Sequence, residues 1–164
     1  MTTQARKLSA HVRATIDRAL EKYPSDQKRS AVLTALHEMQ HENKGFLTEE
    51  LMNVVADYLD MPRIAVYEVA SFYSMFETKP VARHSLSICT NLSCMLRGSD
   101  AIVGHVEQSL GIKIGESTAD GRIYLKLEEE CLAACCGAPM LMVDHVYHEN
   151  LTVDKIDEIL AQLK

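Results

Sequence analysis

No stretch of this chain approaches the roughly 20 consecutive apolar residues that a membrane-crossing helix requires. There is no excess of basic residues either. The formal net charge is −6, which argues against a nucleic-acid surface, because phosphate contacts need clustered Lys and Arg. The opening stretch "MTTQARKLSAHVRATIDRAL" is amphipathic and lacks the continuous apolar segment of a secretory signal, so export is not expected. Internal repeats and low-complexity runs are missing. So is any C-x-x-C pair, the usual mark of a disulfide redox enzyme. What is present is a 164-residue chain, 47% hydrophobic and 24% charged, with the composition of a globular protein that can build a real core. It also carries 5 cysteines. Without an export signal these imply a reducing compartment, which favours metal binding or catalysis over a disulfide framework.

The chain has two segments with different patterning. Residues 1–78 read as helices only. Leu8, Val12, Ile16 and Leu20 recur every four residues, and Pro24 closes that stretch. Ser25 and Asp26 are placed to cap a second helix, with Val32, Leu33, Leu36 and Met39 as its apolar stripe up to Gly45. Thr48 is placed to cap a third, with Leu51, Val54, Val55, Tyr58 and Leu59 inward, and Pro62 opens a fourth. Short links between such helices predict a small antiparallel bundle. Residues 79–164 alternate strand and helix patterns. "HSLSIC" reads as a strand ending at Cys89, and "SCMLRGSDAIVGHVEQSLG" as one helix capped by Ser93 and stopped by Gly111. A β-hairpin is expected to turn at Asp120-Gly121, with Ile123, Leu125 and Leu127 on one face. Further strand follows in "PMLMVDHVYHENLT", then a helix capped by Thr152 that buries Ile156, Ile159, Leu160 and Leu163. The expected order is β, α, β, β, α, and the fold class is α+β: a helical bundle followed by an α/β domain.

Cys89 and Cys94 form a C-x4-C pair; Cys131 and Cys135 form a C-x3-C pair, with Cys136 adjacent. Both pairs fall where strands give way to loops, a place from which a rigid scaffold can present several thiolates to one point. Structural zinc accepts C-x2-4-C spacings. A [2Fe–2S] cluster needs four thiolates, two per iron. Spacing alone leaves both open, and leaves Cys136 able to replace Cys135. Cys94, near the start of a predicted helix, is placed where N–H groups stabilise a thiolate. Gly98 and Gly137 are candidates for close backbone approach, and Leu92, Met95, Leu132 and Met140 for excluding water. Glu128, Glu129 and Glu130, just before Cys131, would make a reduction potential more negative if they face the site. His84, His105, His145 and His148 are scattered and read as surface or satisfied histidines.

"CTNLSCMLRG" followed by "ECLAACCGAPM" resembles the thioredoxin-like [2Fe–2S] ferredoxin subunit of NADH:quinone oxidoreductase (respiratory complex I). "MPRIAVYEVASFYSMFETKPV" is similar to the segment that precedes the cluster domain in that family. The resemblance implies a thioredoxin-like fold for residues 79–164 and a [2Fe–2S] cluster on Cys89, Cys94, Cys131 and Cys135. It implies an electron carrier within an oxidoreductase complex, docked through its helical half on the subunit that binds FMN and NADH, among other peripheral-arm subunits. No catalytic residue is expected of this chain. The location implied is peripheral to the inner membrane on the cytoplasmic side in a bacterium, or the matrix side in a mitochondrion. Two departures stand out: Ala133 occupies a position where the family commonly has glycine, and Cys136 is an extra thiol. Three other readings are the equivalent subunit of an NAD-linked hydrogenase or formate dehydrogenase, a zinc-stabilised binding module, and a thiol peroxidase or reductase.

Overall fold

The computed structural model describes residues 8–126 and 131–164. Its contacts divide the chain after Pro80, into a helical unit and a unit running from Val81 to Lys164.

The helical unit holds α1 (Ala10–Leu20), α2 (Val32–Glu42), α3 (Glu49–Leu59) and α4 (Arg63–Phe72). Apolar residues at helical spacing give each helix one buried stripe. Val12, Ile16, Leu36, Leu51, Val55, Leu59 and Val66 meet in a single core. Ser9 caps α1 by accepting from the Val12 N–H at 3.2 Å, and Thr48 caps α3 from Leu51 at 3.3 Å. Two expectations for α2 need correction. A 3₁₀ turn at Lys28–Ala31 leads into it with no side-chain cap, so Ser25 and Asp26 do not start it. Leu33 is exposed, while Ala35 takes the buried place. Gln40 is buried and satisfied: its Nε2 donates to the Met75 carbonyl at 3.0 Å and its Oε1 accepts from the Glu77 N–H at 2.8 Å. It thereby fixes the segment that leaves α4.

The second unit is α+β. Its strands are β1 (His84–Ile88), β2 (Ile123–Leu125), β3 (Leu141–Val143) and β4 (Val146–His148), in sheet order β2-β1-β3-β4. β1 is parallel to β2, which demands a crossover; the chain between them supplies α5 (Leu92–Leu96) and α6 (Ser99–Leu110). β3 is antiparallel to β1, pairing Ile88 with Leu141, and β4 is antiparallel to β3. Ile102 and Val106 of α6 pack against Leu86, Ile123, Leu125 and Leu141, as do Ile156 and Ile159 of α7 (Val153–Gln162). Thr152 caps α7 through the Lys155 N–H at 3.2 Å.

Three sequence expectations differ here. The single helix over residues 93–110 is two: Asn91, not Ser93, caps α5, and Gly98 at φ 92 breaks the chain before α6. The hairpin at Asp120-Gly121 shrinks to one antiparallel bridge, Ser117 to Tyr124. Backbone bonds flank that bridge, from the Thr118 N–H to the Ile123 carbonyl at 2.8 Å and from the Leu125 N–H to the Glu116 carbonyl at 2.9 Å, and Thr118 Oγ1 also accepts from the N–H groups of Arg122 and Ile123, at 3.2 and 3.0 Å. Leu127 lies outside the described residues. The developed hairpin is β3–β4, turning on Asp144 (φ 47) and His145 (φ 70). Asp144 is held there because its Oδ1 accepts from the Ser85 N–H at 2.9 Å and its Oδ2 meets His84 Nδ1 at 2.6 Å.

Candidate metal centre

β1 delivers Cys89 to the end of the sheet, where its N–H donates to the Met140 carbonyl at 3.2 Å. Asn91 then turns the chain into α5, its Oδ1 accepting from the Leu92 N–H at 2.7 Å. This short helix points Cys94 inward, 1% exposed, and leaves Leu92, Met95 and Leu96 outside. Cys89, Cys94, Leu132, Ala138 and Met140 form a small core of their own. The second loop enters with Cys131 and passes Ala133 at φ 57. The Ala133 N–H donates to Cys131 Sγ at 3.3 Å. A 3₁₀ turn, Cys135–Gly137, carries Cys135 and Cys136, and both are exposed, as is Cys131.

The thiols act on one another electrically. Burial pushes Cys89 up, yet N–H groups of Leu132 and Asn91, with the thiols of Cys94 and Cys131, hold it below the ordinary thiol value. Burial, the bond to Cys89 and the charges of Cys89 and Cys135 push Cys94 up to about 11, against a bond from the Met140 N–H. Cys89 therefore gives up its proton first, and Cys94 keeps its own beside the new charge. A cationic group between them would favour ionising both. The donors are soft thiolates, which suit zinc or an iron–sulfur cluster. Four thiolates in two pairs would serve either group.

Several sequence-derived roles change. Leu132 and Met140 are buried and shield the site, but Leu92 and Met95 are 62% and 45% exposed and do not. Gly98 supplies the left-handed turn before α6; a side chain there would meet open space. Gly137 gives room to Glu149, whose side chain a Cβ would strike. Glu128, Glu129 and Glu130 lie outside the described residues. His84 and His105 are engaged by Asp144 and Asp157 at 2.6 and 2.7 Å, in keeping with satisfied histidines. The backbone contribution of Asn91, Leu132 and Met140 has no sequence signature, since every non-proline residue carries the same N–H. An Asn two places after a strand-end cysteine is the one visible signal.

The family model of the thioredoxin-like [2Fe–2S] ferredoxins matches residues 16–164. The chain is 42% identical over 145 residues to the E subunit of the NADH-quinone oxidoreductase of Rickettsia bellii, covering 88% of this chain and 86% of that one. It is 41% identical over 153 residues to an E subunit of the NADH-quinone oxidoreductase of Rhizobium meliloti, covering 93% and 89%. Among solved structures, an NAD+-reducing [NiFe]-hydrogenase in the air-oxidized state aligns with a TM-score of 0.69 at 20% identity. That match covers 86% of this chain and 24% of the hydrogenase chain, and speaks for the fold. With a matching family model over most of its length, two strand-end thiol loops and an α+β second unit, the chain belongs to the thioredoxin-like [2Fe–2S] ferredoxin family.

Proposed function

We propose that this chain is the electron-carrying subunit of an NADH:quinone oxidoreductase, exchanging electrons with an FMN held by the adjacent NADH-oxidising subunit. Cys89, Cys94, Cys131 and Cys135 are the ligands of its [2Fe–2S] cluster. The observation that carries this reading is the packing of buried Cys89 and Cys94 in one small core with Leu132, Ala138 and Met140 of the loop that bears Cys131 and Cys135. The similarity to NADH-quinone oxidoreductase subunits adds to it. When bound, such a cluster supplies one-electron chemistry with little movement of its ligands.

The chain's own residues set the conditions. N–H groups of Asn91 and Leu132 at Cys89, of Met140 at Cys94 and of Ala133 at Cys131 offset negative charge on sulfur. Buried Leu132, Ala138 and Met140 keep water from the inner side. Cys131 and Cys135 are exposed and mark the outer side as the approach for a redox partner. The place of work is peripheral to the membrane that holds the quinone-reducing subunits, on its cytoplasmic or matrix face.

Replacing any one of the four cysteines by Ala leaves too few thiolates. Each variant is expected to lose visible absorption, with iron and acid-labile sulfide falling together. A colourless parent protein containing zinc would overturn the reading. The native chain is expected to co-purify with an FMN-bearing subunit and quinone-reducing membrane subunits. A nickel or molybdenum subunit in their place would assign it to a hydrogenase or formate dehydrogenase.

A further inference from the structure

The link from β4 to α7 lies against the turn that carries Cys135. The Asn150 N–H donates to the Gly137 carbonyl at 2.6 Å, and the Leu151 N–H to the Pro139 carbonyl at 2.9 Å. Gly137 ends the 3₁₀ turn that begins at Cys135. The Glu149 side chain lies across Gly137, in the space a Cβ there would need. The Glu149 carbonyl, which shares a peptide plane with the Asn150 N–H, accepts from Lys155 Nζ of α7 at 2.5 Å. That plane is held from both sides.

Asn150 sits at φ 50, in the left-handed region. Its φ and ψ lie between the peptide plane that bears its own N–H and the plane that bears the N–H of Leu151. They therefore set the angle between these two donors. An extended residue would send the donors to opposite edges of the chain. A right-handed one would keep them together but turn the chain with the other hand, away from where Leu151 enters the core and Thr152 caps α7. Asn is among the few residues with a side chain that adopt the left-handed conformation readily.

We infer that Asn150 is a positioning residue for the cluster: its left-handed backbone aims two N–H groups at Gly137 and Pro139, and so fastens the turn bearing Cys135 to the start of α7. It lies outside both cysteine loops and acts on the ligand through the backbone alone. A turn released from this clasp lets the Cys135 thiolate leave a metal more readily, as loss of other outer supports of a metal site does. This inference rests on the ligand set proposed above.

The test is a series at this position in the cluster-loaded chain, read by the rate at which an iron chelator bleaches the visible absorption and by the reduced-state EPR line shape. Gly accepts the left-handed conformation, Ala resists it and Val resists it more. Asn150→Gly is expected to keep the parental rate and line shape. Asn150→Val is expected to lose the cluster about tenfold faster and to alter the line shape, with Asn150→Ala between. His145→Val puts the same kind of strain, at φ 70, in the β3–β4 turn at the other end of the sheet. It is expected to lower stability to urea and to leave both readouts unchanged. A parental rate in Asn150→Val would overturn the inference. So would equal acceleration in His145→Val, which would trace the effect to stability, or in Asn150→Gly, which would trace it to the side chain. Should Asn150→Val fail to fold, Asn150→Ala decides, and a rate equal to that of Asn150→Gly overturns the inference. Absence of iron and sulfide from the parent would instead defeat the ligand assignment, so the two failures are distinguishable.

Discussion

At the scale of single residues, adjacent thiols are told apart by the neighbours that act on them. Cys135 contributes to the charge felt by Cys94, and Cys136 is one residue further along the same 3₁₀ turn. Cys136→Ala is therefore expected to keep the visible absorption and reduced-state EPR signal that Cys135→Ala loses. Loss in Cys136→Ala with retention in Cys135→Ala would reverse the assignment. Residue type and spacing made the cysteines legible as a metal-binding group, because few functions need two thiol pairs at strand ends. Choosing Cys135 over Cys136 required the family resemblance. The donors were illegible for a different reason: N–H direction depends on backbone dihedrals, which residue type leaves open.

At the scale of elements, apolar spacing identified the helices well, since a 3.6-residue period and a cap are both local signals. Thr48 and Thr152 begin α3 and α7 as their sequences suggest. The hairpins were harder. Asp120-Gly121 has the favoured turn residues and does turn the chain, but Thr118 and Asp120 side chains take the N–H groups of Arg122 and Ile123, and only Ser117 and Tyr124 form a bridge. Asp144-His145 has no glycine, and its left-handed turn is held by bonds from β1, which no local pattern reveals. Pairing between helices gives a pH prediction. Tyr58 of α3 donates to Asp17 of α1 at 2.5 Å. Burial and that bond raise its phenol above the ordinary value of 10.0. A raised value means the folded state holds the proton more tightly, so this contribution is complete below about pH 10 and is lost as pH rises through the folded value. Tyr58→Phe is expected to cost about 1 kcal/mol or less near neutral pH, given the pair's exposure. Urea unfolding of parent and variant should converge above pH 10; a constant difference would show that the bond does not matter.

At the scale of the whole molecule, each unit owns a buried core. Leu8 to Phe76 supply one, and Leu86 to Leu160 the other. The second unit is thus equipped to fold without the first, and residues 81–164 alone are expected to yield a coloured protein. If the helical unit provides the docking, that fragment no longer co-purifies with the flavin subunit, and assembly at native affinity would refute the docking role. The change from helical to mixed patterning near Lys79-Pro80 was visible in sequence, because the apolar period itself changes there. Strand order was not, since it depends on pairings between distant segments. One consequence of that order concerns length variation. β1 and β3 run in opposite directions, so the chain leaves Cys89 and enters Met140 at the same end of the sheet. An extra residue at the Asp120-Gly121 turn of the α6–β2 connection falls at the opposite end of β1 from Cys89. An extra residue between Met140 and Leu141 would displace the Met140 N–H by about 3.4 Å, more than a hydrogen bond to Cys94 can span. Of these two stretches, the first is free to gain or lose residues over evolutionary time, and the second is a gauge whose length cannot drift.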